Sequence, residues 1–367
     1  MRQHVCIRVP ALFLLAATVV LLFGISGTFA GEGKAGDWPQ WRGPNRDGVV
    51  HGVTVPAKWP KALKEEWKVT VGEGFSSPVV AGGRVYVFTR QQDNELVYCL
   101  DVATGKDTWR SEPYPAPRVR GFGAGNMTYG PRSTPAVADG RVFTLGVAGV
   151  LSCLDAKNGQ LLWRKDSQGY PAHGACTSPL VADGLCIVHV GSRDKGGLTA
   201  FDVKSGEVKW CLKTKSWEDP AYGSPILVDL AGERQVVTFT GGGGANLIGV
   251  SPATGKRLWQ LQGLRGEGAC LTPVQYKDLL IFAVYQGPPW AIRLEKGDIG
   301  ITAKDVWKAK GLSLYYSSPV LAGDWLFGLS TQKFGHLYCL DAKTGQPLWQ
   351  SEGRYGGDGG GLAMCRS

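Results

Sequence analysis

The chain has 367 residues, enough for one large domain or two of ordinary size. Its 53 glycines, 13 tryptophans and modest share of charged residues exclude a disordered tail or a coiled coil and point to a turn-rich β protein. The formal charge of +9 is scattered among acidic residues, so nothing marks a nucleic-acid surface.

Residues 1–30 read as a secretion signal. Arg2 and Arg8 give a basic start, 11–25 is almost wholly apolar, and Thr28-Phe29-Ala30 offers a cleavage site before Gly31. That apolar run is shorter than the ~20 residues a spanning helix needs, which favours cleavage; an uncleaved anchor is the other reading. No cysteine suited to lipid attachment follows the run. The expectation is an exported chain, in the periplasm or on the extracellular side of the envelope, with no stable membrane span after cleavage. Residues 31–63 form a leader whose Trp38, Trp41 and Trp59 are expected to pack against the flank of the domain that follows.

From 64 to 353 one phrase recurs: DVATGKDTW (101–109), DAKNGQLLW (155–163), DVKSGEVKW (202–210), SPATGKRLW (251–259) and DAKTGQPLW (341–349). A divergent copy ends at Trp307, and Trp67 in EEWKVTVGEG is a seventh ending. The tryptophans are 42 to 54 residues apart, a period that indicates stacked equivalent β units. Asp101, Asp155, Asp202 and Asp341 can bond backbone N–H groups in the turn, and the glycine takes a left-handed conformation. Trp109, Trp163, Trp210, Trp259, Trp307 and Trp349 are then placed to cover the seam to a neighbouring unit.

A second element runs out of phase with the first: Ser77-Pro78, Thr134-Pro135, Ser178-Pro179, Ser224-Pro225, Thr272-Pro273 and Ser318-Pro319. Apolar runs broken by tight turns such as Gly82-Gly83, Asp139-Gly140 and Asp183-Gly184 follow it. Each unit therefore reads as four antiparallel strands, A from the Ser/Thr-Pro to D near the Trp. Strands A to C are apolar at nearly every position, as sheets covered on both faces must be. Such sheets packed in a ring make an all-β propeller. Six blades are complete and a seventh lacks three strands. Residues 354–367 form an irregular tail, read as a truncation or frameshift, and an intact relative would carry seven blades or eight.

The nine cysteines do not suggest a disulfide framework. Cys99, Cys153 and Cys339 occupy one slot of the repeat and should be small buried hydrophobes. Cys176 and Cys186, paired about Asp183-Gly184, would lie about five rows apart, roughly 17 Å, too far to bridge.

The Ala-x-Asp-x-x-Thr-Gly-x-x-x-Trp pattern, met in its core by 341–349, resembles the tryptophan-docking motif of pyrroloquinoline-quinone (PQQ)-like repeat propellers. That family includes quinoprotein alcohol dehydrogenases and BamB-like outer-membrane assembly factors. DWPQWRGPNRDGVV (37–50) is similar to the leader of bacterial members, notably those of planctomycetes. The resemblance covers roughly residues 37–353 and implies two functions. One is a non-catalytic binding or scaffold role with a periplasmic or envelope protein or peptide as partner. The alternative is a PQQ-binding oxidoreductase or sensor holding PQQ with Ca²⁺. The dehydrogenases carry a disulfide between adjacent cysteines, and this chain has no Cys-Cys. No carboxylate cluster matches their Ca²⁺ and catalytic pattern, so no catalytic or metal residue is assigned and no cofactor is expected.

Propeller topology puts the A–B and C–D turns on one face and the variable D–A and B–C loops on the other, where binding is expected. The residues three positions before each Pro form a ring at the channel mouth: Phe75, Arg132, Cys176, Tyr222, Cys270 and Tyr316. Tyr129, His173, Asp219, Glu267 and Tyr315 are the neighbouring groups able to hold a ligand. The competing reading is that all of them plug the channel and solvate its rim. GGGGAN (241–246) lacks the Gly-Lys-Ser/Thr of a phosphate loop and reads as a hairpin.

Overall fold

Strand pairing follows the repeat. The computed structural model describes residues 36–54, 56–120, 127–128, 130–167, 169–171, 173–191, 196–213, 222–241, 245–264, 270–353 and 364–366. Residues 1–30, read above as a secretion signal, lie outside them, as do Tyr129, Asp219 and Glu267. Among the described residues six antiparallel meanders of four strands follow one another. Blade 1 comprises Val79–Ala81, Arg84–Gln91, Asn94–Asp101 and Asp107–Arg110, with Tyr114–Pro115 added beside its third strand. Blade 2 is Ala136–Ala138, Arg141–Leu145, Val150–Asp155 and Leu161–Asp166. Blade 3 is Leu180–Ala182, Leu185–Val190, Gly197–Asp202 and Val208–Lys213. Blade 4 is Ile226–Leu230, Glu233–Thr240, Ala245–Val250 and Arg257–Leu264. Blade 5 is Val274–Tyr276, Leu279–Phe282, Trp290–Gly297 and Gly300–Lys308. Blade 6 is Val320–Ala322, Trp325–Ser330, His336–Asp341 and Pro347–Gln350. The glycine run near 241 joins strands B and C of blade 4, where Thr240 pairs with Asn246.

The middle strands are buried almost residue by residue, so the core lies between blades as much as within them. The recurring turn is built as its residues require. Asp101 Oδ1 accepts from the Thr104 N–H and hydroxyl at 2.9 and 2.7 Å, and Asp341 does the same for Thr344. The motif glycine meets a second demand. Trp67, Trp109, Trp163, Trp210 and Trp307 lie on Gly105, Gly159, Gly206, Gly255 and Gly345 of the following blade, where any Cβ would come within 3 Å of the ring. Each indole N–H donates to the carbonyl of Val102, Ala156, Val203, Pro252 or Ala342, the residue after the first motif position, at 2.7 to 3.2 Å. The cysteine slot has a related cause. Cys99, Cys153 and Cys339 pair directly across from Trp109, Trp163 and Trp349, with Ala200, Gly249 and Ala291 opposite the other tryptophans. A small side chain there leaves room for the indole. Cys99, Cys153, Cys176, Cys186, Cys211, Cys270 and Cys339 are free, and Cys186 pairs across its turn with Val181.

Trp259 departs from the pattern. Blade 5 turns from C to D through Gly297 and Gly300 without a Thr-Gly turn, so the Trp259 indole donates to Gln235 of its own blade while still packing against Leu280 and Phe282 of blade 5. At the other end of the series, Trp349 is 46% exposed. Blade 6 is followed by Met364–Arg366, which lies beside Val320–Ala322 and pairs in parallel with Val49–His51 of the leader. With Trp67 seated on blade 1, these are the described parts of the seventh position.

The leader does not pack on the flank. It enters the channel from the A–B turn face, where the Asp37 carboxylate accepts from Gly82 N–H, and Trp38 then pairs with Val80 through backbone bonds of 2.7 and 2.9 Å. Pro39 O accepts from Val137 N at 2.8 Å. Arg42 donates to Ser318 O and Pro319 O, and Arg46 to Ser178 O, Pro179 O and Gln40 Oε1, at 2.5 to 3.1 Å. The reason is chemical. The innermost strands begin at Ser/Thr-Pro and leave carbonyls turned to the axis, and buried carbonyls need donors. A planar guanidinium serves several at once. Of the three leader tryptophans only Trp59 is largely exposed.

Candidate functional site

Above the leader the ring of blades holds a cavity of about 470 Å³. Its wall is formed by Phe75, Arg132, Cys176, Tyr222, Cys270 and Tyr316, one residue from the start of each blade, three positions before the proline. Strand A begins at the same height in every blade, so equal offsets in sequence become a ring in space. Ser178 and Ser224 line the next level down, and Trp41 of the leader lines the cavity beside them. The Trp41 indole N–H donates to Thr272 Oγ1 at 2.8 Å, which fixes the ring across the channel.

The hydroxyl ring below has a structural task. Ser77 N donates to Thr134 Oγ1, Thr134 N to Ser178 Oγ, Ser178 N to Ser224 Oγ and Thr272 N to Ser318 Oγ, at 2.9 to 3.3 Å. In blades 1, 2, 3 and 5 the N–H is thus satisfied by the next blade's hydroxyl. Only Ser or Thr supplies that acceptor so close to the backbone.

Of the remaining expected residues, the described ones, His173 and Tyr315, stand just outside the wall. Tyr315 packs edge-on to Tyr316, with ring centroids 4.3 Å apart and an interplanar angle of 87°. His173 meets Tyr222 edge to face at 6.0 Å, and the Cys176 thiol donates to Gly174 O at 3.4 Å in the same loop. Sequence reasoning missed two members. Trp41 lies in the unrepeated leader, and Tyr285 sits on the B–C loop of blade 5, where its hydroxyl bonds that of Tyr315. The Tyr285 position was open to inspection, because B–C loops emerge on the same face as the ring.

Burial governs the electrostatics. It pushes the Cys176 thiol up to about 12, against the pull of the nearby Arg132 guanidinium, and Cys270 up to about 11. Tyr285 and Tyr316 are pushed above the ordinary phenol range, first by burial and then by bonding within the tyrosine cluster. At the channel axis burial lowers Arg42 to about 10 and Arg46 to about 9, still charged at neutral pH. The lining is thus a set of protonated thiols and aromatic faces with a single guanidinium, suited to gripping an apolar or aromatic group. The described lining holds its thiols protonated and includes no carboxylate.

PQQ is a tricarboxylate quinone, and its Ca²⁺ needs several oxygen ligands, carboxylates above all. Among the described lining residues Arg132 is the only cation and no carboxylate is present. Nor do three His, Cys, Asp or Glu converge anywhere among the described residues. The described donor set does not fit the cofactor.

Four-stranded meanders locked by indoles on a Gly turn, around a plugged channel with one open cavity, define a β-propeller of the tryptophan-docking class. The family model described as outer membrane protein assembly factor BamB matches residues 60–132 and 92–351, and the chain belongs to that family of PQQ-like repeat propellers. BamB of Burkholderia pseudomallei (strain K96243) is 27% identical over 292 residues, 78% of this chain and 59% of its own length. Quinohemoprotein alcohol dehydrogenase ADH-IIG of Pseudomonas putida is 32% identical over 155 residues, 39% of this chain and 21% of its own. The chain therefore spans about three fifths of the first relative and a fifth of the second. The crystal structure of BamB from Moraxella catarrhalis shares the fold, with a TM-score of 0.53 at 17% identity over 75% of this chain and 72% of its own.

Proposed function

We propose that the chain is an exported, non-catalytic binding or scaffold propeller that takes a segment of an envelope protein into the cavity on its D–A/B–C loop face. The observation that carries this reading is the wall itself: one residue from every blade, four aromatic rings counting Trp41, and thiols held protonated by burial. Membership in the BamB family supports a protein partner, and the related quinoprotein dehydrogenases keep the oxidoreductase alternative in view.

A photo-crosslinking residue at Tyr222 or Tyr316, in cells that make the protein naturally, should yield the same discrete protein adduct from both positions. A control position at Val208, exposed on the outer strand of blade 3, should not yield it. The reading fails if the two cavity positions give unrelated adducts or the control gives the same one. Saturable quenching of tryptophan fluorescence by PQQ with Ca²⁺, abolished by Arg132→Ala, would instead establish the alternative.

A further inference from the structure

Beside the leader, on the A–B turn side of the channel, lies a second cleft. It measures about 290 Å³, runs along the innermost strands of blades 4 and 5 to the A–B turn at Lys277, and shares no described lining residue with the loop-face cavity. Two strand edges line it. Val80 and Val137, two residues after the proline of blades 1 and 2, turn their N–H groups to the axis, where Trp38 O and Pro39 O accept them, and Val80 O accepts from Trp38 N in return. Leu227 and Gln275 hold the same place in blades 4 and 5, and their register gives N–H and C=O the same direction. Arg46 forms the opposite wall. Of the five N–H groups on its guanidinium three donate, all to neutral oxygens: Gln40 Oε1, Pro179 O and Ser178 O. Nε has no acceptor among the described residues. The side chain is buried and still charged at neutral pH, with the Arg42 guanidinium acting on it. Asp47 is the one carboxylate of the described lining; its Oδ1 accepts from Val49 N at 2.9 Å, and its charge supports Arg42. Two buried guanidiniums beside one carboxylate leave positive charge at the axis, and a buried charge gains from a counter-ion.

We propose that this cleft is a binding site for a small oxyanion that carries a hydroxyl, such as hydrogenphosphate or a hydroxycarboxylate. Its negative charge answers Arg46. Its oxygens accept from the Leu227 and Gln275 N–H groups and the Asn45 amide, and Lys277 at the mouth draws the anion in. The hydroxyl is required by the carbonyls of the same two strand edges, which accept and cannot donate. A halide meets the N–H groups alone, and a metal cation is repelled by the guanidinium. The bound anion would join the leader to blade 4, beside the bonds that the leader makes to blades 1, 2, 3, 5 and 6.

Isothermal titration calorimetry of the full chain in a zwitterionic buffer tests this with inorganic phosphate, citrate, acetate and chloride. Phosphate, citrate or both should bind saturably, one per chain, and the arm that binds identifies the source. Acetate and chloride, which carry no hydroxyl, should bind about tenfold more weakly or less. Asn45→Asp puts a carboxylate beside the cleft on an exposed leader residue and should weaken binding about tenfold. Asn158→Asp, the same change on an exposed turn of blade 2, should leave binding as it is. Bound anion should also slow proteolytic cleavage of the leader in the wild type and not in Asn45→Asp. The proposal is overturned if neither phosphate nor citrate binds saturably, or if chloride or acetate binds as well as they do. It is equally overturned if Asn45→Asp and Asn158→Asp behave alike, since the anion would then sit elsewhere.

Discussion

Gly206 and Gly184 belong to the same blade and hold nearly the same backbone angle, φ +69° and +75°, yet their surroundings differ completely. A Cβ on Gly184 would meet nothing within 4 Å, whereas one on Gly206 would stand 2.7 Å from Trp163 Cδ2. Gly184→Ala should therefore cost only the left-handed conformation, about 1 kcal/mol after allowing for the stiffer unfolded chain. Gly206→Ala carries that cost and must also push the indole back by roughly 0.7 Å to reach ordinary contact. Such a retreat stretches the Trp163 N–H bond to Val203 O from 3.1 Å to beyond bonding range, at about 1 kcal/mol. It also disturbs the ring's packing between Phe143 and Phe201, at about 1–3 kcal/mol. The expected total is about 3–5 kcal/mol, against about 1 for the control. Urea unfolding at 25 °C reads the difference in midpoint, with an unchanged slope showing that the unfolded state is the same. In a Trp163→Leu background the two alanine substitutions should become equal, because the ring that distinguished them is gone. Equal losses in the wild-type background would refute the claim that the motif glycine is a docking surface as well as a turn residue.

Arg46→Met should cost about 3–5 kcal/mol, the usual consequence of removing one side of a buried charged network, and should expose the leader to proteolysis ahead of the blades. Burial raises the cavity thiols from 9.0 to about 12 for Cys176 and about 11 for Cys270, so their contribution is fully present below pH 9 and is lost as pH rises through those values. Urea midpoints between pH 8 and 11 should fall more gently in the Cys176→Ala, Cys270→Ala double variant, and iodoacetamide at pH 8 should modify exposed Cys211 well before either. Glu95 is buried between blades 1 and 2, where its carboxylate accepts from Val147 N at 3.0 Å and Tyr114 Oη at 2.9 Å. Burial raises it above the usual carboxylate range, so the stability tied to its neutral form is present in acid and lost as pH rises through the shifted value. Glu95→Gln should then melt higher than wild type at pH 7 and equal to it near pH 4, while Glu95→Ala, which orphans two donors, should melt lower at both.

The blades were legible because they repeat. Register carried from one copy to the next, so a Ser/Thr-Pro read six times located strand A and the residues three positions earlier without any structure. Phe75, Arg132, Cys176, Tyr222, Cys270 and Tyr316 do stand on one wall. What escaped was whatever has no second copy. Trp41 has no repeat partner to set its height in the channel, and neighbouring Trp38 and Trp59 resemble it in sequence while lying elsewhere. Trp259 carries the same motif as its equivalents but faces a blade that turns differently, a fact held in residues 297–300 rather than in 251–259. The second role of the turn glycine was hidden for a different reason. Positive φ alone accounts for a glycine, so nothing in the phrase itself calls for a further cause.

The leader explains why there is a cavity rather than a pore. Equivalent blades around an axis can supply only equivalent groups, and the Ser/Thr-Pro carbonyls they point inward would line an open polar tube. Arg42 and Arg46 satisfy those carbonyls on blades 6 and 3 and bring Trp41 across the channel to Thr272 of blade 5. The tube is then closed at one end by an aromatic ring, and the other end is the one that carries loops whose lengths differ from blade to blade. Specificity must come from residues that break the repeat, namely Trp41 at the base, Arg132 as the only cation of the described lining and the Tyr285–Tyr315–Tyr316 cluster beside the wall. If so, Trp41→Ala should alter what the cavity holds while leaving the blade seams intact. It would show as changed crosslinking at Tyr222 with an unaltered unfolding midpoint for the blades, and a collapse of both together would mean that the leader serves folding alone.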